Sequence, residues 1–171
     1  MAATAAFMVG AQAQVYGELG YTSTTAKSTD STGTFKASPK AIRGIVGYEV
    51  HPNLAVEGML SLGTGSSSIS GPGVPSGVNL KIQNTYGLYL KPKAKVSDGL
   101  EVFGRIGYAK AKYKASFNSN SVKENEDSLS YGVGLSYALS SNVYLSLDYA
   151  QYIKTKDTKA TGTTFGIGYR F

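Results

Sequence analysis

The sequence predicts an all-β fold, namely an eight-stranded antiparallel up-and-down transmembrane β-barrel with a plugged polar lumen. Three observations carry this prediction. Short segments in which apolar and polar residues alternate recur along the chain, and this period of two is typical of strands with two unlike faces. Charged residues within these segments fall on the face opposite the large apolar ones. Tight turns alternate with longer polar connections, as they do in barrels that cross the outer membrane.

Length and composition fit this architecture. The 171 residues suit one domain, and transmembrane strands of about 9–11 residues leave room for about eight of them. The chain has no Cys and a single His, so the sequence offers no disulfide and no transition-metal site, and we expect no cofactor. No apolar run approaches the roughly 18 residues of a membrane helix. The net charge of +6 could indicate that the protein binds nucleic acid. Because the lysines lie in loops and strand ends, we expect no nucleic-acid partner.

Residues 1–13 are predicted to be the remnant of a signal peptide or a disordered N-terminus. Small and apolar residues lead to Ala11-Gln12-Ala13, an A-x-A cleavage pattern that would make Gln14 the new start. The basic region that normally opens a signal peptide is missing. The barrel is therefore predicted to occupy residues 14–171.

The first four predicted strands are residues 15–21, 41–50, 54–63 and 80–91. Each has one parity in which large apolar residues recur, with Leu19, Val46, Leu60 and Leu88 as one example from each outward face. Polar Asn84 falls on the outward face of the fourth strand and is an exception. The alternation otherwise predicts a wall with one apolar side.

The last four predicted strands are residues 100–108, 128–139, 143–153 and 161–171. Their outward faces include Ile106, Leu135, Leu147 and Ile167. The final strand is the most regular, because Phe165, Ile167, Tyr169 and Phe171 alternate with small or polar residues. Gln151 and Thr163 are predicted to be polar exceptions on the outward face.

The connections differ in length at the two ends of the predicted barrel. Three are tight turns at His51-Pro52-Asn53, Ser97-Asp98-Gly99 and Ser140-Ser141-Asn142. Four are longer, covering residues 22–40, 64–79, 115–127 and 154–160. Short periplasmic turns and long external loops are the outer-membrane arrangement, so both termini are predicted to be periplasmic.

Ten charged residues share the face opposite the apolar side chains. They are Glu18, Arg43, Glu49, Glu57, Lys81, Lys91, Glu101, Arg105, Asp148 and Arg170. A Lys or Arg facing lipid near the midplane would cost about 2–4 kcal/mol, so we place this face inside. Because an eight-stranded barrel is only wide enough to be filled by its own side chains, the ten charges are predicted to form a lumen network of ion pairs.

A soluble barrel of lipocalin type is the rival fold, with apolar residues inside and the same charges outside. Three observations favour the membrane barrel, and one is that the signal-like start and the terminal Phe both point to export. Several glycines lie on the charged face, which suits a crowded lumen. Large aromatics on the apolar face fall near both ends of the strands, as two membrane interfaces require. They are Tyr48, Tyr137, Tyr169 and Phe171 near one end, and Tyr21, Tyr108, Tyr131 and Phe165 near the other.

Residues 47–58 (GYEVHPNLAVEG) and 131–149 (YGVGLSYALSSNVYLSLDY) resemble hairpins of OmpA-like, porin-family barrels of the Gram-negative outer membrane. Because the chain ends with the barrel, it is similar to OmpX-type stand-alone barrels in particular. The resemblance implies contact with outer-membrane lipid and with the barrel-assembly machinery. It also implies that Phe165, Ile167, Tyr169 and Phe171 form the terminal signal read by that machinery.

Catalysis is not expected. Some barrels that this chain resembles modify lipid A with a His, a Ser and an acid, but His51 lies in a predicted periplasmic turn, at the wrong end for that substrate. A structural or surface-interaction role through the long loops, with an unknown extracellular ligand, is the favoured function, and a narrow channel for small solutes is the alternative.

Four lysines at the external end share outward parity, namely Lys40, Lys110, Lys112 and Lys114. They are predicted either to contact lipopolysaccharide phosphates or to be solvated strand extensions.

Overall fold

The protein was analysed as a computed structural model that describes residues 14–31, 33–73, 79–117, 120–154 and 158–171. These residues form ten strands. The strands are β1 (Val15–Asp30), β2 (Gly33–Ala37), β3 (Lys40–His51), β4 (Leu54–Gly63), β5 (Ser66–Ser68), β6 (Asn79–Ser97), β7 (Leu100–Phe117), β8 (Asn120–Ala138), β9 (Val143–Lys154) and β10 (Thr158–Arg170). Among the residues described, there is no helix with the length and apolar character that crossing a membrane requires.

Eight of these strands close into a barrel. Going round the wall, the order is β1, β3, β4, β6, β7, β8, β9 and β10, and β10 pairs with β1 to complete the circle. Every neighbouring pair is antiparallel. The predicted eight-stranded up-and-down barrel is therefore confirmed, and each predicted strand lies within one residue of the range of a barrel strand.

Several strands are longer than predicted, mostly at the end with long connections, although β6 also continues past Lys91 to Ser97 at the other end. β1 continues through residues 22–30, and β7 and β8 together take up most of residues 115–127, which were predicted to be loops. Two short strands, β2 and β5, pair with β1 and β6 at the same end. These segments are rich in Thr, Ser and Lys on both faces, so they lack the apolar alternation that identifies a strand in sequence.

The opposite end has the three predicted tight turns. β3 and β4 are joined through Pro52 and Asn53, and β8 and β9 are joined through residues 139–142. Between β6 and β7 the chain turns at Asp98-Gly99, where Gly99 has φ +85°. A side chain would be strained in this left-handed conformation, which explains the glycine.

The predicted division of the two faces is also confirmed. Along β4, buried and exposed residues alternate from Ala55 to Leu62, with Val56, Leu60 and Leu62 on the exposed face. The apolar face forms the outer wall, where it meets lipid instead of a protein core. The eight aromatics predicted at the two strand ends are all exposed on this wall, namely Tyr21, Tyr48, Tyr108, Tyr131, Tyr137, Phe165, Tyr169 and Phe171.

Irregular pairing accounts for two of the three polar exceptions. The β6–β7 register shifts between Ile82 and Asn84, so half-buried Asn84 lies beside a bulge, opposite exposed Lys112. The β9–β10 register also shifts, next to Gln151. The prediction that Gln151 faces outward is wrong, because only 6% of it is exposed. Thr163 is exposed, as predicted.

Glycines on the lumen face let neighbouring strands of the wall approach each other closely. A Cβ built on Gly107 would lie 1.9 Å from the Leu88 carbonyl oxygen and 2.7 Å from the Tyr89 Cα. Both contacts are with backbone, so the clash could be relieved only by moving β6. On the lipid side, a Cβ on Gly58 would meet nothing closer than 4.0 Å.

We therefore expect Gly107→Ala to destabilise the barrel by about 1–3 kcal/mol, the typical cost of overpacking. Gly58→Ala, the matched control on the outer wall, should leave stability unchanged or slightly raised. Urea unfolding in lipid vesicles, followed by heat-modifiable gel mobility, measures both. Equal stability of the two variants would contradict the tight approach of β7 to β6.

Candidate functional site

Two arginines and three carboxylates meet at the centre of the lumen. Arg43 Nη2 lies 2.9 Å from Glu18 Oε1 and 2.5 Å from Asp148 Oδ2. Arg105 binds Glu57 through Nε at 2.5 Å and Asp148 through Nη1 at 2.8 Å, and its Nη2 lies 3.4 Å from Glu18. The five side chains come from β1, β3, β4, β7 and β9, so the cluster ties together strands that are far apart on the wall.

Tyrosines and a lysine complete this central cluster. The Tyr16 hydroxyl donates to Glu57 at 2.6 Å, and the Tyr144 hydroxyl donates to Glu18 at 3.3 Å. Lys91 Nζ lies 3.4 Å from Glu57 and 4.4 Å from the centre of the Phe103 ring. The central cluster thus contains three acids and three bases, and each charge has an opposite partner.

Burial makes this pairing necessary. Glu57 is fully buried, and Arg43 and Asp148 are only 2% and 3% exposed. A buried charge without a partner is strongly destabilising, whereas a paired and hydrogen-bonded one is tolerated. The cluster therefore fills the lumen and constrains five strands, and it presents no open cationic or anionic surface to a solute.

A second group of charges lies nearer the tight turns. Lys93 Nζ contacts Glu49 and lies 3.4 Å from Glu101 Oε2, and Ser136 donates to Glu101 at 3.3 Å. Sequence reasoning missed Lys93, because the fourth strand was predicted to end at Lys91. Continuing the same alternation by two residues would have placed Lys93 inside.

The last two predicted members of the network are Arg170 and Lys81. Arg170 stacks on the Tyr144 ring, with its guanidinium carbon 4.6 Å from the ring centre. The side chain of Lys81 lies outside the described part of the structure. Its backbone is opposite Lys114, and its place in the lumen stays a prediction.

The lumen beyond the central cluster, toward the long strands, is lined by small and hydroxyl side chains. Thr22, Thr24, Ser61 and Thr85 surround a cavity of about 30 Å³, and Tyr152 closes it on the side of Arg43. This volume holds about one water molecule. The polar lumen is therefore plugged along the part that the structure describes.

Exposed lysines mark the outer wall just beyond the aromatic girdle. Lys110 lies across the strand pair from Tyr86 on one side and from Asp127 on the other. Lys112 is two residues further along β7, and Lys40 opens β3. We call Lys40, Lys110 and Lys112 the collar lysines. All three are exposed, whereas the side chain of Lys114, predicted to act with them, is outside the described part.

The last strand presents its four predicted signal residues on the outer wall. Phe165, Ile167, Tyr169 and Phe171 are all exposed. The Tyr169 and Phe171 rings pack edge to face with centres 5.1 Å apart, and the Phe171 amide donates to the Val15 carbonyl at 2.9 Å. The terminal aromatic is thus held at the seam where the first and last strands close the barrel.

The single histidine has a local partner in its turn and belongs to no metal site in the described part of the chain. His51 is exposed in its turn, where Nδ1 accepts a hydrogen bond from the Asn53 amide at 3.2 Å. Within the described ranges, no group of three or more His, Cys, Asp or Glu side chains could hold a metal ion.

This closed wall with charged contents matches a known family over the whole chain. The model of the outer membrane protein beta-barrel domain family matches residues 1–171. The chain belongs to this family. Its apolar wall therefore faces the lipid of the bacterial outer membrane, and the resemblance to OmpA-like and OmpX-type barrels is confirmed.

Individual relatives are more distant. The attachment invasion locus protein of Yersinia enterocolitica is 28% identical over 86 residues, which are 50% of this chain and 48% of that protein. The chain thus matches about half the length of this curated relative. A crystal structure is known of Ail, the attachment invasion locus protein of Yersinia pestis, in complex with the heparin analogue sucrose octasulfate. Its fold matches this chain with a TM-score of 0.66 at 20% identity, and the match covers 94% of this chain and all of that one.

Neisserial surface protein A has a TM-score of 0.71 at 17% identity, covering 92% of this chain and 97% of that one. At these identities the structural matches show the fold. Together with the family, these relatives support a non-enzymatic outer-membrane barrel.

We expect Arg105→Met to destabilise the barrel by about 3–5 kcal/mol, because it leaves buried carboxylates without one of their partners. Arg170→Met, which removes a half-buried arginine that stacks on Tyr144, should cost about 1 kcal/mol or less. Adding Glu57→Gln to Arg105→Met should restore part of the loss, since it removes an unpaired charge. The measurement is urea unfolding in lipid vesicles, and similar losses for Arg105 and Arg170 would contradict the central role of Arg105.

Proposed function

We propose that this protein acts at the cell surface as a non-enzymatic barrel whose extended strands bind an extracellular partner. One observation carries the proposal. The lumen is filled by the central cluster, whereas β1, β7, β8 and β10 continue well past the aromatic girdle. We place these extensions outside the cell and the tight turns and both termini in the periplasm, as the lengths of the connections favour.

The relatives support the same role. One is named for attachment and invasion, and another is named as a surface protein. Functional residues in barrels are usually carried by the external segments on a rigid wall. The exposed ends of the four extended strands are therefore the region where a partner would bind.

Attachment tests this proposal directly. A non-adherent bacterial strain that expresses the protein should be retained on cultured epithelial cells in larger numbers than the same strain with an empty vector. A variant in which residues 24–38 are replaced by a tight turn should lose part of this gain, although its barrel remains intact by heat-modifiable mobility. Equal retention of all three strains would overturn the surface role.

A narrow channel is the second candidate, and the lumen argues against it. A solute would have to displace Arg43, Arg105 and their carboxylates, which fill the cross-section. We expect the purified protein to show no steady openings in a planar lipid bilayer. Reproducible conductance steps with the unaltered protein would favour the channel and count against a purely external role.

We also propose that the collar lysines contact lipopolysaccharide. Lys110 follows Tyr108 on the outer wall and lies across from Tyr86, so its ammonium group is at the height where headgroup phosphates begin. Lys112 follows on the same face of β7, and Lys40 lies on the outer face of β3, which β4 and β6 separate from β7. The barrel-assembly machinery is proposed to recognise the exposed aromatics at the end of β10.

Replacing Lys40, Lys110 and Lys112 together by Gln should reduce co-purified lipopolysaccharide by roughly half or more, since each cation near an anionic surface contributes about 1 kcal/mol. Lys95→Gln is a control, because this exposed lysine lies near the tight turn between β6 and β7. Lipopolysaccharide per barrel is measured by native mass spectrometry. Unchanged retention in the triple variant would remove the proposal and leave the collar lysines as solvated strand extensions.

A further inference from the structure

Lysines stand directly opposite one another across the strands beyond the girdle. In β1, Lys27 is the Cα partner of Lys36 in β2 and of Lys159 in β10. The backbone register continues to β9, where Lys154 is the partner of Lys159. We call Lys36, Lys27 and Lys159 the lysine row. All three are exposed.

Such an arrangement is unfavourable, and a bound anion would relieve the repulsion. Like charges directly opposite one another on neighbouring strands destabilise a sheet, whereas opposite charges stabilise it. The ion pairs of the described residues all lie in the lumen, and none includes a lysine of the row. Residues 22–40 and 154–163, which surround the row, hold six lysines and only two aspartates.

The spacing suits a linear ligand with several charges. Neighbouring strands are about 4.8 Å apart, so the four positions from Lys36 to Lys154 span about 14 Å along one line. Single phosphates or carboxylates would neutralise one lysine and leave its neighbours in conflict. A chain of closely spaced anions could lie across the strands and contact each lysine of the row.

The neighbouring side chains favour a polysaccharide over a nucleic acid. Exposed Thr25 and Thr29 flank Lys27 on the same face of β1 and supply hydroxyl groups for hydrogen bonds. Single-stranded nucleic acids are bound largely by stacking on aromatic rings. In β1, β2 and β10 beyond Tyr21 and Phe165, the sole aromatic is Phe35, which is half-buried and packs against Gly71.

We propose that the lysine row is a binding site for an anionic polysaccharide carrying closely spaced charged groups. The site rests on the proposed surface role, because the row lies on the part of the wall placed outside the cell. It is distinct from the collar lysines, since Lys40 pairs with Ser23, four residues before Lys27 along β1. A bound polymer at the row would therefore lie beyond the lipid headgroups.

Binding of dextran sulfate to the protein in phospholipid nanodiscs tests the site. Replacing Lys27, Lys36 and Lys159 together by Gln should weaken the affinity at least tenfold. It should also reduce the slope of log K against log salt by about two, as expected for three lost contacts with a flexible polyanion. The collar variant is the matched control, because it loses the same charge from the same wall. It should bind within about threefold of the unaltered protein.

Three results would overturn the assignment. They are an unchanged affinity of the row variant, equal losses in the row and collar variants, and equally tight row-dependent binding of a single-stranded oligonucleotide. Heat-modifiable gel mobility establishes that each variant is folded.

Attachment to epithelial cells is measured separately. If the row variant binds no dextran sulfate yet still attaches, the surface role stands without the polysaccharide; if the unaltered protein binds dextran sulfate but does not attach, the site stands and the surface role fails.

Discussion

The structure depends on pairing charges in a space that admits almost no water. Glu18, Glu57 and Asp148 are all buried within the barrel, and two arginines and Lys91 neutralise them. In a medium of low effective dielectric, each partner is worth far more than it would be at the surface, and each loss is correspondingly costly. The cluster thus fixes which strands face one another across the lumen.

The same constraint explains the outer wall. Because the paired polar side chains fill the lumen, the apolar side chains need not pack in a protein core and face lipid instead. The wall must then satisfy its own backbone hydrogen bonds, which only a closed ring of strands can do in a bilayer. The pairing of β10 with β1 completes this ring, and the contact between Phe171 and Val15 secures its last residue.

Most of the barrel could be predicted from sequence because lipid imposes a strict period of two. Leu60 and Glu57 could be assigned to opposite faces without a structure. The rule fails where lipid no longer acts, so the continuation of β1 through Lys27 was read as a loop. It fails also at bulges, where one extra residue reverses the faces, as near Asn84 and Gln151. Alternation gives a residue's side of the wall but not its partner, so the shared role of Asp148 between two arginines could not be predicted.

The distribution of charge follows from these two environments. The two lumen clusters contain five acids, Glu18, Glu49, Glu57, Glu101 and Asp148, and four bases, Arg43, Lys91, Lys93 and Arg105. The clusters together carry one net negative charge, so a net charge of +7 remains on the rest of the chain. This excess positive charge is also excluded from the lipid-facing band, since placing a cation there costs free energy. The excess must lie at the two ends of the wall, and at the extended end it is arranged in opposed lysines. Repulsion between Lys27 and its neighbours is tolerable there because water screens it, and a polyanion that displaces this water gains from the same repulsion.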